Sequence, residues 1–177
     1  MITFETRAEM MATLPPSARI AEIGVFAGEF SEEILRRCSP RSLHLVDMWD
    51  GSHSSGDKDG RNSVTINDMH GTYLRLCQRY KDHGSVRLIK SASVTFFAVW
   101  AEDFFDAVYI DADHSYDGVL ADLRGAARVT RTGGFLLGHD YHGDVARAVA
   151  TFCGETGQSV IGVASDRCPS FMIRLRK

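Results

Sequence analysis

The chain has few of the residues that would mark a disulfide framework, a membrane span or a partner of opposite charge. Its 177 residues hold only four prolines and four cysteines. Cys38, Cys77, Cys153 and Cys168 are widely spaced and form no C-x-x-C pair, which argues against a disulfide framework or a zinc motif and for reduced thiols. No apolar run approaches the ~20 residues of a membrane span. The N-terminus, with Glu5 and Glu9, lacks the basic start and apolar stretch of a secretory signal, so a cytoplasmic location is expected. A basic excess is missing too. The net charge of −3 and a pI near 6.1 argue against nucleic acid or an anionic membrane as partner. The dinucleotide fingerprint G-x-G-x-x-G is also absent, so a nicotinamide-dependent oxidoreductase is disfavoured.

What remains is an ordinary globular chain, 44% apolar and 24% charged, of a size expected for a single domain spanning 1–177. From Arg19 onward, apolar runs alternate with amphipathic stretches, the pattern of an α/β protein with a parallel sheet. Strands are expected near 19–24, 43–47, 86–90, 106–111, 134–138, 159–164 and 170–175. Helices are expected over 29–37, 63–82, 116–129 and 143–156. In 116–129, Tyr116, Val119, Leu120, Leu123 and Ala127 recur at helical spacing. The segment 29–37 carries Glu32 and Glu33 early and Arg36 and Arg37 late, which suits the helix dipole. Only Asp166 to Pro169 join the last two strands, too short for a parallel crossover, so they should form an antiparallel hairpin. Residues 1–18 read as a short N-terminal segment. The Gly- and Ser-rich loop 50–62 reads either as a surface connection or as a lid over a site. Within it, Asp57-x-Asp59-Gly60 lacks the later glutamate of a calcium loop.

Arg19 to Ser31, R-I-A-E-I-G-V-F-A-G-E-F-S, is the most informative stretch. A strand ends in Glu22-x-Gly24, Gly28 follows, and a helix begins. About twenty residues on, a second strand ends in Asp47. This is a nucleotide-cradling βαβ unit whose glycines let backbone approach the ligand and whose acid can accept ribose hydroxyls. The spacing E-x-G-x-x-x-G favours S-adenosylmethionine (SAM) over NAD. The candidate cofactor contacts are Glu22, Gly24, Phe26, Gly28, Ser31, Asp47 and Met48, with Trp49 offering an apolar face to adenine.

A second constellation lies in Y-I-D-A-D-H-S-Y (109–116) and G-H-D-Y (138–141). If the two preceding strands are parallel neighbours, about 4.8 Å apart, Asp111 and Asp140 converge beside the methyl donor. Two such carboxylates repel unless a cation or shared proton relieves them. A divalent ion fits, with His139 adding an imidazole; Asp113 and Asp140 also suit helix-cap or turn roles. Asp113 or His114 would take a proton from the acceptor.

These motifs resemble those of class I SAM-dependent methyltransferases, with E-I-G-V-F-A-G-E-F-S as the first motif and V-D-M-W carrying the ribose acid. The resemblance runs from about Arg19 to Leu175. It implies a Rossmann-like, doubly wound, seven-stranded, mostly parallel sheet with an antiparallel C-terminal hairpin. It also implies that Ala92 and Ser93, in the turn after strand 86–90, face adenine; many relatives carry Asp where this chain has Ala92. D-A-D-H-S-Y-D-G-V and G-G-F-L-L-G-H-D-Y are similar to a bacterial subgroup related to macrolide and aminocoumarin sugar O-methyltransferases, which use magnesium. Carried over, the ligands are Asp111, His139 and Asp140, and Asp113 matches the general base. His139 departs from the subgroup's second acid, which favours manganese, iron or zinc, or no metal. The expectation is methyl transfer to a small-molecule hydroxyl, with SAM and an Mg or Mn ion. The alternatives are metal-independent transfer to N, O or S, and a non-catalytic SAM-binding domain. The short N-terminus leaves little substrate cap, so a second subunit could supply one in a homo-oligomer.

Overall fold

The computed structural model describes residues 1–51, 53–55, 64–66 and 68–176. In chain order the elements are β1 (Ile2–Phe4), α1 (Arg7–Met11), β2 (Arg19–Ile23), α2 (Glu29–Cys38), β3 (Ser42–Asp47), β4 (His53–Ser55) and β5 (Val64–Ile66). Then come α3 (Met69–Tyr80), β6 (Val86–Lys90), α4 (Ser93–Val99), β7 (Phe105–Ile110), α5 (Tyr116–Val129), β8 (Thr130–Gly138), α6 (Gly143–Thr156), β9 (Val160–Ala164) and β10 (Ser170–Arg174). Strand order in the main sheet is β1-β9-β10-β8-β7-β2-β3-β6, and β4 pairs with β5 in a separate antiparallel ribbon.

Side chains alternate across the sheet with the two-residue period of a strand. Ile20, Leu43, Leu45, Ala107, Tyr109 and Leu137 pack on one face, with Met10, Ile34 and Leu76 from α1, α2 and α3. Ala21, Ile23, Val46, Val108, Ile110 and Leu136 pack on the other, with Phe96, Leu123 and Val149 from α4, α5 and α6. Helices therefore cover both faces, as the doubly wound expectation requires. The C-terminal hairpin is present: β10 runs antiparallel to both β9 and β8.

The sheet has eight strands where seven are expected. The extra one, β1, pairs parallel to β9 with Ile2 opposite Gly162. It and the five-residue α1 are too short to show a period, and they lie in the segment 1–18 read only as a short N-terminal segment. Helix α3 is shorter than the expected 63–82. It starts after Asp68, whose carboxylate accepts the Gly71 amide at 2.7 Å, and residues 64–66 are strand. Helix α4 has the sequence S-V-T-F-F-A-V, rich in poor helix formers. Tertiary burial of Phe96 and Phe97 overrides that preference. The loop 50–62, read as a surface connection or a lid, lies largely outside the described residues. Among the described residues, no helix is long and apolar enough to cross a membrane.

Strand order reverses direction at the β2–β7 boundary, since β2 leads outward to β3 while β7 leads to β8 on the other side. Open α/β sheets bind ligands outside the carboxyl ends of the strands at this switch point.

Candidate active site

The carboxyl ends of β8, β7, β2, β3 and β6 are tied into one rim by backbone hydrogen bonds. The His139 amide donates to Ile110, Asp111 to Ile23, Gly24 to Val46 and Ser91 to Asp47. Gly24 has φ +85°, and a Cβ placed on it would lie 2.1 Å from the Asp111 carbonyl oxygen. The rim closes this tightly only because residue 24 has no side chain. Gly28, at φ +84°, starts α2.

Asp47 holds the glycine turn. Its Oδ2 accepts the Val25 and Phe26 amides at 2.8 and 2.9 Å, and its Oδ1 accepts the Trp49 amide at 2.9 Å. A carboxylate has about four acceptor directions, so one remains for a ligand. Phe26 sits at a strained φ of 54°, and the Trp49 indole N–H donates to its carbonyl. Trp49 is wholly buried among core residues and offers no face to adenine; the exposed apolar side chain here is Met48. Glu22 is buried and accepts the Ser31 hydroxyl at 2.6 Å. Burial pushes its carboxyl up to about 8, against the lowering effect of the Ser31 bond. These two residues brace the turn from beneath. Ala92 is the extended N-cap of α4. The Ser93 hydroxyl is engaged by Asp122, whose carboxyl burial raises to about 6.

Charge concentrates at the β7 and β8 ends. His114 Nε2 lies 3.5 Å from Asp111 Oδ1 and 3.0 Å from Asp140 Oδ2. His139 Nδ1 lies 3.4 Å from each of the same two oxygens. Hydrogen bonds to Asp111 and Asp140 push His114 up to about 10. Burial works to lower His139, but bonds to the same two acids outweigh it and raise it to about 9. Burial would raise Asp111, yet the His114 and His139 bonds and the charges of His139 and Arg7 hold it near 2. The two imidazoles hold Asp140 well below the carboxylate range. Asp140 takes the left-handed φ of 50°, and its carbonyl accepts the His142 amide.

The structure brings together Asp111, His114, His139 and Asp140, but not Asp113. The Asp113 carboxylate turns away and accepts the Ser115 amide and hydroxyl, both at 2.8 Å, as Ser115 caps α5. A Cβ at Gly118 would meet it at 2.3 Å, so that glycine makes room for the turn. Geometry therefore places His114, not Asp113, beside the acids.

Sequence reasoning missed three neighbours. Arg7 donates to Asp111 Oδ2 at 3.1 Å, with its guanidinium 4.2 Å over the Phe30 ring. His142 Nε2 lies 3.6 Å from Asp140 Oδ1. Cys168, set apart from any metal motif by its spacing, comes within 4.8 Å of donor atoms of His139 and Asp140. Nothing local signals Arg7. The hairpin topology does signal Cys168, because β9 and β8 are both antiparallel to β10, so the β9–β10 turn falls at the carboxyl edge. A surface cavity of about 280 Å³ is lined by residues that include Arg7, Glu29, Phe30 and Asp166, and shares only Arg7 with the neighbours of the cluster.

No curated protein matches the sequence significantly. Solved structures do share the fold. The N-methyltransferase NodS of Bradyrhizobium japonicum WM9 superposes with a TM-score of 0.67 at 17% identity, over 98% of this chain and 94% of NodS. Fibrillarin of Aeropyrum pernix, solved with natively bound S-adenosyl-L-methionine, gives 0.64 at 14% identity, over 94% of this chain and 72% of its own. An O-methyltransferase family protein of Burkholderia thailandensis gives 0.63 at 14% identity, over 96% of this chain and 55% of its own. Identities this low speak to the fold alone. The model of the methyltransferase domain family matches residues 21–141, which run from β2 to just past the His139–Asp140 pair. With more than half of its length covered, this chain belongs to the methyltransferase domain family.

Proposed function

We propose that the protein is a SAM-dependent methyltransferase that methylates a hydroxyl of a sugar-like or natural-product-like small molecule, with a divalent cation assisting at Asp111, His139 and Asp140. The observation that carries this reading is the meeting, at the switch point, of the bare glycine turn with an acid–imidazole cluster. Gly24 touches the Asp111 backbone, so the two halves share one wall.

The residues present suit both groups. On the donor side, Gly24 and Gly28 leave backbone open to the ligand, Asp47 keeps one acceptor direction, Met48 offers an exposed apolar surface and Arg7 supplies a cation for a carboxylate. On the cation side, carboxylate oxygens and imidazole nitrogens form a mixed hard and borderline donor set. A bound divalent ion supplies Lewis acidity that lowers the pKa of an acceptor hydroxyl. Asp111 and Asp140 orient that hydroxyl, and in-line alignment with the donor supplies much of the rate. His114 is half exposed at the lip of the cluster; with a cation relieving Asp111 and Asp140, it would release the proton that the two acids hold on it, and its Nε2 would then be the atom placed to take the acceptor's proton.

A metal-independent reading has one observation in its favour. His114 and His139 already pair with both acids, and Arg7 with Asp111. Titration calorimetry with SAM on metal-stripped protein, with and without magnesium or manganese, followed by turnover on hydroxylated acceptors, separates the two. The expected outcome is micromolar SAM binding and metal-stimulated transfer, with Asp140→Ala lowering transfer about 10²–10⁴-fold while SAM still binds. Transfer indifferent to chelation would establish the metal-independent reading, and absence of SAM binding would remove both.

A further inference from the structure

The turn between β9 and β10 folds against the end of β8, where the Tyr141 amide donates to the Pro169 carbonyl at 2.7 Å. That contact carries Cys168 to the cluster. Two groups of three donors share Asp140: Asp111, His114 and Asp140, and His139, Asp140 and Cys168, each with donor atoms within 4.8 Å of one another. They are not equivalent. In the first, Arg7 already lies 3.1 Å from Asp111, and a fixed guanidinium on a ligand opposes a second cation there. The second combines an imidazole, a carboxylate and a thiol, all partly buried, without the carboxylate that Arg7 occupies.

We propose that the divalent ion invoked above is a zinc-type cation held by His139, Asp140 and Cys168, an inference that rests on the metal-assisted reading and revises its ligand set. Sulfur and imidazole donors select borderline ions such as zinc, cobalt or ferrous iron, whereas magnesium takes oxygen ligands and keeps much of its water. Binding displaces both the thiol proton and the proton that His139 Nδ1 shares with the acids to solvent, leaving a thiolate and a neutral imidazole on the metal. Three protein ligands leave a coordination position for an oxygen ligand, which is the pattern of catalytic rather than structural zinc. Asp111 then stays with Arg7 on the donor side of the cluster.

Cobalt titration of the metal-stripped, full-length protein tests this by absorption spectroscopy, without any acceptor. The expected result is a saturable near-ultraviolet thiolate-to-cobalt charge-transfer band that zinc abolishes by displacement and excess magnesium does not. Cys168→Ser should lose the band while keeping its thermal midpoint and its SAM affinity. His139→Ala should weaken cobalt binding at least tenfold. Cobalt binding without a thiolate band, or a band that persists in Cys168→Ser because another thiol supplies it, overturns the thiol ligand and leaves metal-assisted transfer standing. Failure to bind cobalt, zinc or magnesium at all overturns this site together with the metal-assisted reading, while SAM binding would still stand.

Discussion

At the ends of β2 and β3 the ligand-facing groups are mostly backbone, held by glycines and by one carboxylate that takes three amides. At the ends of β7 and β8 they are side chains, two acids laced to two imidazoles and a guanidinium. The two halves touch at Gly24 and Asp111, yet follow different rules. The first half works by leaving space, so shape limits it. The second works by concentrating charge in a partly dry setting, where unpaired charge is costly. A nucleotide-like ligand needs bare backbone and one acid, whereas proton or cation chemistry needs groups that compete for the same position.

Three experiments would sharpen or break this division. Gly24→Ala is expected to have the largest effect, because a methyl group would sit 2.1 Å from a carbonyl oxygen at a φ of +85°. It should cost about 3 kcal/mol or more in urea unfolding and abolish SAM binding. Near-normal stability would show that the two halves do not share a wall.

Glu22 tests whether the glycine half is electrically quiet. Its folded pKa of about 8 lies above the ordinary 4.5. The folded state therefore keeps a proton that the unfolded state has released between those values. The contribution of this group to stability is full below about pH 4.5, falls as pH rises and is lost above about 8, on the order of 5 kcal/mol. Glu22→Gln should flatten that fall between pH 5 and 8 in chemical denaturation. An unchanged slope would show that Glu22 is ionised in the fold.

A third comparison separates two neighbours in the charged half. Asp113→Ala should cost about 1 kcal/mol through the lost turn at α5 and leave transfer near the parental rate. His114→Ala should lower kcat about 10²–10⁴-fold, and it should also cost stability by removing a cation that both acids share. The reverse ranking would return the base to Asp113.

Much of the frame was legible from short-range signals. The β2–α2 turn showed in E-x-G-x-x-x-G, α5 in its helical spacing, and the C-terminal hairpin in a connection too short to cross over. Short β1 and α1 carried no period, and α4 ran against its own propensities. At the site, Asp111, His139 and Asp140 were legible because each lies at or just past a strand end. Trp49 was misread because an exposed aromatic and a core aromatic look alike in one dimension; its indole, expected to face adenine, is buried and donates to the Phe26 carbonyl. Asp113 was misread for a similar reason. Two acids spaced one residue apart in D-A-D diverge once a serine caps the next helix and draws one of them away.

The amino-acid order alone determined the layering of helices on a parallel sheet, the glycine turn and the acids at strand ends. These follow from hydrophobic period, backbone permissiveness and connection length, all properties of residues near one another in the chain. Only the tertiary structure decided the membership of the cluster. Arg7 reaches Asp111 across 104 residues, and Cys168 joins His139 and Asp140 from a turn beyond α6. Such contacts are set by how strands order themselves in the sheet, and no local pattern encodes that order.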